Sequence, residues 1–221
     1  MLLLVLIGLA ISLWASSNVK STFNRYSRLN CAGGITAENA AERILRESGV
    51  SDVRIERIAG SLTDHYDPTQ KVLRLSSSVY GSSSAAAVGV AAHECGHAVQ
   101  DSVGYQPLRI RRLLVPIANF GSQASVPIIL VGYFLGMSGL ARLGAYIFFA
   151  VVLFQLVTLP VEFDASNRAC RILAASGRFT DEELRAVRKV LTAAALTYVA
   201  SALNALIQFL RLLAMTNSRR R

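Results

Sequence analysis

His93, Glu94 and His97 form an HExxH motif, which holds two of the chain's three histidines. On a helix, residues four apart share a face, so both imidazoles can reach one Zn²⁺ while Glu94 stands beside the metal's open position. The chemistry this spacing supports is metal-assisted hydrolysis. Zn²⁺ lowers the pKa of a bound water toward ~7 and polarises a scissile carbonyl, and Glu94 takes the proton from that water and passes it to the leaving amine. Two histidines and a water leave one protein ligand to find. No third histidine follows at the HxxGxxH spacing, which excludes the metzincin pattern. Beyond residue 101 the acidic residues are Glu162, Asp164, Asp181, Glu182 and Glu183. The last three follow Thr180 as a helix start, where carboxylates favour the macrodipole. Glu162 and Asp164, in LPVEFDASNRA, stay open as the third ligand.

The elements that must carry these residues are legible around them. From Ser84 the chain reads SAAAVGVAAHECGHAVQDS, an Ala-rich helix opened by serines and free of proline until Pro107. Ionisable groups on so apolar a helix cost free energy unless they are paired or metal-bound. Cys95 sits about 100° or more around the helix from either histidine and reads as a packing residue. Upstream, Thr36 can cap a helix through AENAAERILRES that Gly49 ends. VRIERI then alternates as a strand, and Asp67-Pro68 marks a turn between short strands.

Composition places this apparatus in a membrane. The chain is 52% hydrophobic and 17% charged, against about a quarter charged in an ordinary soluble domain. Leu2 to Ala15 is an apolar run whose basic residues, Lys20, Arg25 and Arg28, come after it, as expected of an uncleaved anchor rather than a cleaved signal. Leu113 to Met137 and Leu143 to Val161 read as a transmembrane hairpin joined by the turn SGLAR. A fourth run, Leu191 to Met215, could be one helix with the segment starting at Thr180. Gln155, Thr158 and Glu162 share one face of the hairpin's second arm, and Thr197, Ser201, Asn204, Gln208 and Arg211 share one face of the last helix. Such stripes should face other helices or water, with interhelical hydrogen bonds as their plainest use.

The formal charge of +9 gathers at membrane edges without any nucleic-acid motif, so anionic lipid rather than nucleic acid is the expected partner. Arginine is dense in the soluble part and in the 162 to 189 segment, whereas the hairpin turn holds only Arg142. The site is therefore expected on the cytoplasmic side. The tail Arg219–Arg221 runs against this rule if the last helix spans. Three widely spaced cysteines indicate no disulfide framework, which agrees with a reducing compartment.

HECGH followed by EFDAS resembles the membrane zinc peptidases of the HtpX and CAAX-protease type. A nearer resemblance, spanning almost the whole chain, is to the YugP-like bacterial neutral zinc metallopeptidases, through TDHYDP (63–68), VGVAAHECGHAVQ (88–100), LVPIAN (114–119) and FQLVTLPVEFDAS (154–166). The resemblance implies His93, His97 and Glu162 as ligands of Zn²⁺ and Glu94 as general base. Where the HtpX-type pattern ends in an aspartate that supports the ligands, this chain has Ser166, and Asp164 is the local substitute. By analogy with zinc peptidases, Lys71 to Leu75 is expected to be an edge strand that pairs with substrate. His65, by default a turn or surface histidine, and Tyr66 are candidates for transition-state support.

The fold expected is a mainly α integral membrane protein with a zincin-like HExxH helix, a small β element and three to four transmembrane helices. Its expected divisions are an anchor at 1–17, a cytoplasmic zincin-like part at 18–112, a transmembrane hairpin at 113–161, a third-ligand segment and helix start at 162–189, and a membrane helix with basic tail at 190–221. The expected function is a zinc-dependent endopeptidase of a bacterial cytoplasmic membrane. Its partners would be the lipid bilayer and a membrane-associated protein or peptide substrate. The same residues leave open a catalytically silent zinc-binding scaffold and a hydrolase of non-peptide substrates.

Overall fold

The computed structural model describes residues 2–217; the basic tail Arg219–Arg221 lies outside the described residues. The elements run α1 (Leu2–Tyr26), α2 (Ala37–Glu47), β1 (Arg54–Ile58), β2 (His65–Asp67), β3 (Val72–Ser76), α3 (Ala85–Ser102), α4 (Gln106–Phe134), α5 (Ser138–Ala175) and α6 (Asp181–Asn217). Helices α1, α4, α5 and α6 are each long and apolar enough to cross a membrane. Their side chains include exposed Leu13, Leu113, Phe120, Phe134 and Leu210, a display of apolar surface that water penalises and lipid accepts. The molecule is thus a mainly helical integral membrane protein with one small sheet.

The chain divides into two compact units. One comprises the described parts of Met1–Ala15, Gln106–Pro160 and Thr197–Arg221. Within it α4 and α5 approach through small residues. A β carbon at Gly121 would lie 2.8 Å from the Ile147 carbonyl oxygen, and one at Gly144 would lie 2.8 Å from that of Ser125. Close backbone approach of this kind is how helices associate in lipid, where no hydrophobic effect drives them together. Of the last helix's polar stripe, Asn204 donates across to Ser12, while Ser201 turns back to the Thr197 carbonyl. The hairpin turn differs in place from the sequence expectation. It falls at Leu135–Met137, where Gly136 takes a φ of +70°, and Ser138–Arg142 already belongs to α5. Only glycine adopts that backbone conformation freely, so Gly136 outweighs the polar SGLAR pattern as the breaker.

The other unit, Ser16–Tyr105 with Val161–Leu196, holds the HExxH helix and Glu162. Its core packs Leu73, Leu75, Val79, Val88, Ala91, Leu173 and Val187, all 2% exposed or less. Ser84 caps α3 by accepting from Ala87 N–H at 3.2 Å. Thr180 and Glu183 form a reciprocal capping box at the start of α6, with Thr180 N–H to Glu183 at 2.8 Å and Glu183 N–H to Thr180 at 3.3 Å. That secures the structural reading of the TDEE segment. The strand order is β1-β3-β2, with β1 parallel and β2 antiparallel to β3. This corrects the edge-strand expectation for Lys71 to Leu75. β3 is the central strand, and both its edges are already paired. β2 is an edge, its turn tied by Asp67, which accepts from the N–H groups of Thr69 and Gln70.

Candidate metal centre

Helix α3 presents His93, Glu94 and His97, and α5 presents Glu162. The two helices meet at Gly96, the glycine of HECGH. A β carbon there would sit 2.5 Å from the Ala165 carbonyl oxygen, a contact no side chain tolerates, so glycine is what lets α3 lie against α5. The approach brings a Glu162 carboxylate oxygen 3.2 Å from His93 Nε2 and 3.5 Å from His97 Nε2. The two rings stand edge to face at 4.7 Å. Ligand atoms of all three side chains lie within 4.8 Å of one another. Glu162 is 2% exposed and His97 8%.

The nitrogens on the far side of each ring are also engaged. His93 Nδ1 lies 3.1 Å from Ser166 Oγ, and His97 Nδ1 lies 3.0 Å from Gln100 Oε1. Gln100 settles the second tautomer. Its Nε2 donates to the Val161 carbonyl at 2.8 Å and to Asp164 Oδ2 at 2.9 Å, so the atom facing His97 is the carbonyl oxygen, an acceptor. Nδ1 of His97 must then carry the hydrogen, which leaves Nε2 as a lone pair aimed at the cluster. Burial opposes a charge on His97. Protonation adds a hydrogen at Nε2 that donates to Glu162, and that bond, the nearby Glu94 and Glu162 charges and Gln100 outweigh burial and raise the pKa of His97 above the ordinary histidine value.

Glu94, 8% exposed, accepts the backbone N–H of Tyr66 at 3.0 Å. In the antiparallel pair Tyr66 lies opposite Leu73, and its N–H faces away from β3 toward α3. The Tyr66 hydroxyl is committed elsewhere. It donates to Asp101 Oδ2 at 2.9 Å, and Lys71 Nζ bonds the same oxygen at 2.8 Å. Burial and that hydrogen bond push the Tyr66 pKa up to about 12. His65 is exposed, with Nδ1 donating to the Thr63 carbonyl at 2.9 Å and Nε2 accepting from Arg74 at 3.4 Å. Asp164 touches Gln100 and Arg168 Nε, the latter at 2.5 Å, so it bears on His97 through Gln100. Ser166, the residue that departs from the HtpX-type pattern, is itself the partner of His93. Cys95 is fully buried, its thiol 3.6 Å from the Ala41 carbonyl.

The sequence reading missed Gln100 and the backbone of Tyr66. Gln100 was findable, because it stands three residues beyond His97 and shares its helix face. The Tyr66 amide was not, since a backbone group has no signature in residue type. Two imidazole nitrogens and a carboxylate oxygen, with the rings held from behind, match the donor set and support that a three-ligand zinc site requires.

The chain is thus an integral membrane protein in which an HExxH helix meets a buried glutamate from α5, a group that could hold a metal ion. The chain belongs to the family described as "Putative neutral zinc metallopeptidase", which it matches over residues 1–217. It is 46% identical over 208 residues to the "Putative membrane protease YugP" of Bacillus subtilis (strain 168), an alignment covering 94% of this chain and 92% of that one. No solved structure matches it significantly.

Proposed function

We propose that this protein is a zinc-dependent endopeptidase that hydrolyses peptide bonds at the cytoplasmic face of a bacterial membrane. The observation that carries the reading is the convergence of His93 Nε2, His97 Nε2 and the Glu162 carboxylate beside a glutamate fixed by the edge strand. His93, His97 and Glu162 would hold the ion. Zn²⁺ bound there supplies a Lewis acid that lowers the pKa of water and polarises the scissile carbonyl. Glu94 is the general base: the Tyr66 N–H holds its Oε2, which leaves Oε1 to take the water's proton and pass it to the leaving amine nitrogen. Ser166 and Gln100 keep the two rings turned to the ion, and Asp164 holds Gln100 in its accepting orientation. Tyr66, whose N–H holds Glu94, and its chain neighbour His65 both lie on β2.

Metal removal tests the reading. Purified protein should cleave peptide substrates, lose that activity on chelation and regain it with Zn²⁺. Protons compete with the metal for His97 Nε2. Because the pKa is raised from the ordinary histidine value, zinc affinity should be full at alkaline pH and fall as the pH drops through the raised pKa. Titration of zinc binding against pH reads this directly, and activity untouched by chelation would overturn the proposal. Orientation has its own test. Cysteine at Ser138 should be labelled from outside intact cells and cysteine at Ser61 should not, because arginine is dense around the second site and only Arg142 stands near the first. External labelling at Ser61 would reverse the assignment.

A further inference from the structure

Away from the histidine cluster, the first turns of α1 beyond its apolar run face the start of α6 across a groove of about 460 Å³. Asn18, Thr22, Arg25 and Tyr26 form one wall, spaced as a single helical face. Arg185, Arg188, Lys189 and Thr192 form the other. Four cations thus line one concavity with no carboxylate among its lining residues, and none of the four makes an ion pair among the described residues. What holds two of them is an aromatic ring. The Arg25 guanidinium lies 5.6 Å from the centre of the Tyr26 ring and the Lys189 ammonium 6.0 Å from it. A cation held by a π face keeps its hydrogen-bond donors free in a way that a carboxylate partner would not permit. The hydroxyl of Thr22 and the amide of Asn18 add neutral donors on the α1 wall, while the Thr192 hydroxyl is spent on the Arg188 carbonyl.

We propose that this groove binds a phosphate oxyanion, supplied by the headgroup of an anionic phospholipid. Like charges gathered without acids repel one another until an anion enters, and arginine forks match phosphate oxygens in pairs. The lipid source follows from position along the chain. Asn18 comes three residues after Ala15, the last residue of the first apolar run, and Thr192 lies at the opening of the last one, Leu191 to Met215. Residues within a turn or two of an apolar run stand at headgroup depth, where a lipid phosphate is at hand and cations gain from it. The groove uses none of the residues assigned to hydrolysis, so this inference stands or falls independently of the peptidase reading.

The test uses the full-length protein in neutral detergent, with lipid retention read by native mass spectrometry. Phosphatidylglycerol should be retained in preference to phosphatidylcholine. The variant carrying Arg185→Ala, Arg188→Ala and Lys189→Ala should bind it about 10²-fold more weakly. A control carrying Arg46→Ala, Arg57→Ala and Arg178→Ala removes the same charge elsewhere and should bind as wild type. Arg25→Gln, on the opposite wall, should weaken binding on its own by about tenfold, which keeps the test decisive should the triple variant fold poorly. Inorganic phosphate at millimolar concentration should not displace the lipid. If it does, the oxyanion site is upheld and its source is a soluble phosphate. Equal losses in the two triple variants, or full retention by Arg25→Gln, would overturn the proposal, because net charge and not the groove would then govern binding.

Discussion

Glu94→Gln is expected to leave the protein folded and zinc-loaded while lowering kcat/KM for peptide hydrolysis by at least about 10²-fold, the scale contributed by a general base. The reasoning is local. The glutamine keeps the shape of the glutamate, and its amide oxygen can still accept the Tyr66 N–H that now holds Oε2 at 3.0 Å. Both imidazoles and Glu162 are untouched, so the metal should remain. What the amide cannot do is take a proton. Zinc analysis and single-substrate kinetics on the same preparation decide the matter. A Glu94→Gln enzyme with normal zinc and normal turnover would sink the proposed mechanism and favour a scaffold role for the zinc fold.

Loss of the metal is the second large effect. Glu162→Ala removes the carboxylate that both Nε2 atoms face at 3.2 and 3.5 Å, and zinc affinity should fall by more than about 10²-fold. Asp164→Ala should cost less, within the ~10–100-fold span of outer-shell partners, because Asp164 reaches His97 only through Gln100. His93→Ala should lose metal, activity and thermal stability together, since bound metal contributes to folding. Competition against a chromogenic chelator ranks the variants. Zinc held as tightly by Glu162→Ala as by wild type, with loss in Asp164→Ala, would reassign the third ligand.

Much of this arrangement is written in local pattern. The i, i+4 histidines on an alanine-rich, serine-capped segment announce α3, and Thr180 with Glu183 announces the start of α6. The apolar runs announce α1, α4, α5 and α6, because their length and composition alone satisfy the bilayer's demand for internally bonded backbone. Elimination reduced the third ligand to Glu162 or Asp164, two residues apart on one chain segment. Local pattern misled at the hairpin, where polar SGLAR looked like the turn and Gly136 makes it, and in the sheet, where the strand nearest α3 in sequence is the central one.

The sequence by itself therefore determined the chemistry available: two histidines on one helix face with a glutamate beside them, a carboxylate after an apolar run, and a chain that belongs in lipid. Only the tertiary structure decided which partners hold them. Ser166 behind His93, Gln100 between His97 and Asp164, and the Tyr66 amide on Glu94 depend mostly on groups many residues apart, brought together by packing α3 on α5 and β2. That packing turns on an absent side chain at Gly96 against the Ala165 carbonyl. Periodicity reports which face of a helix is apolar, but not which distant backbone will come close enough to touch it.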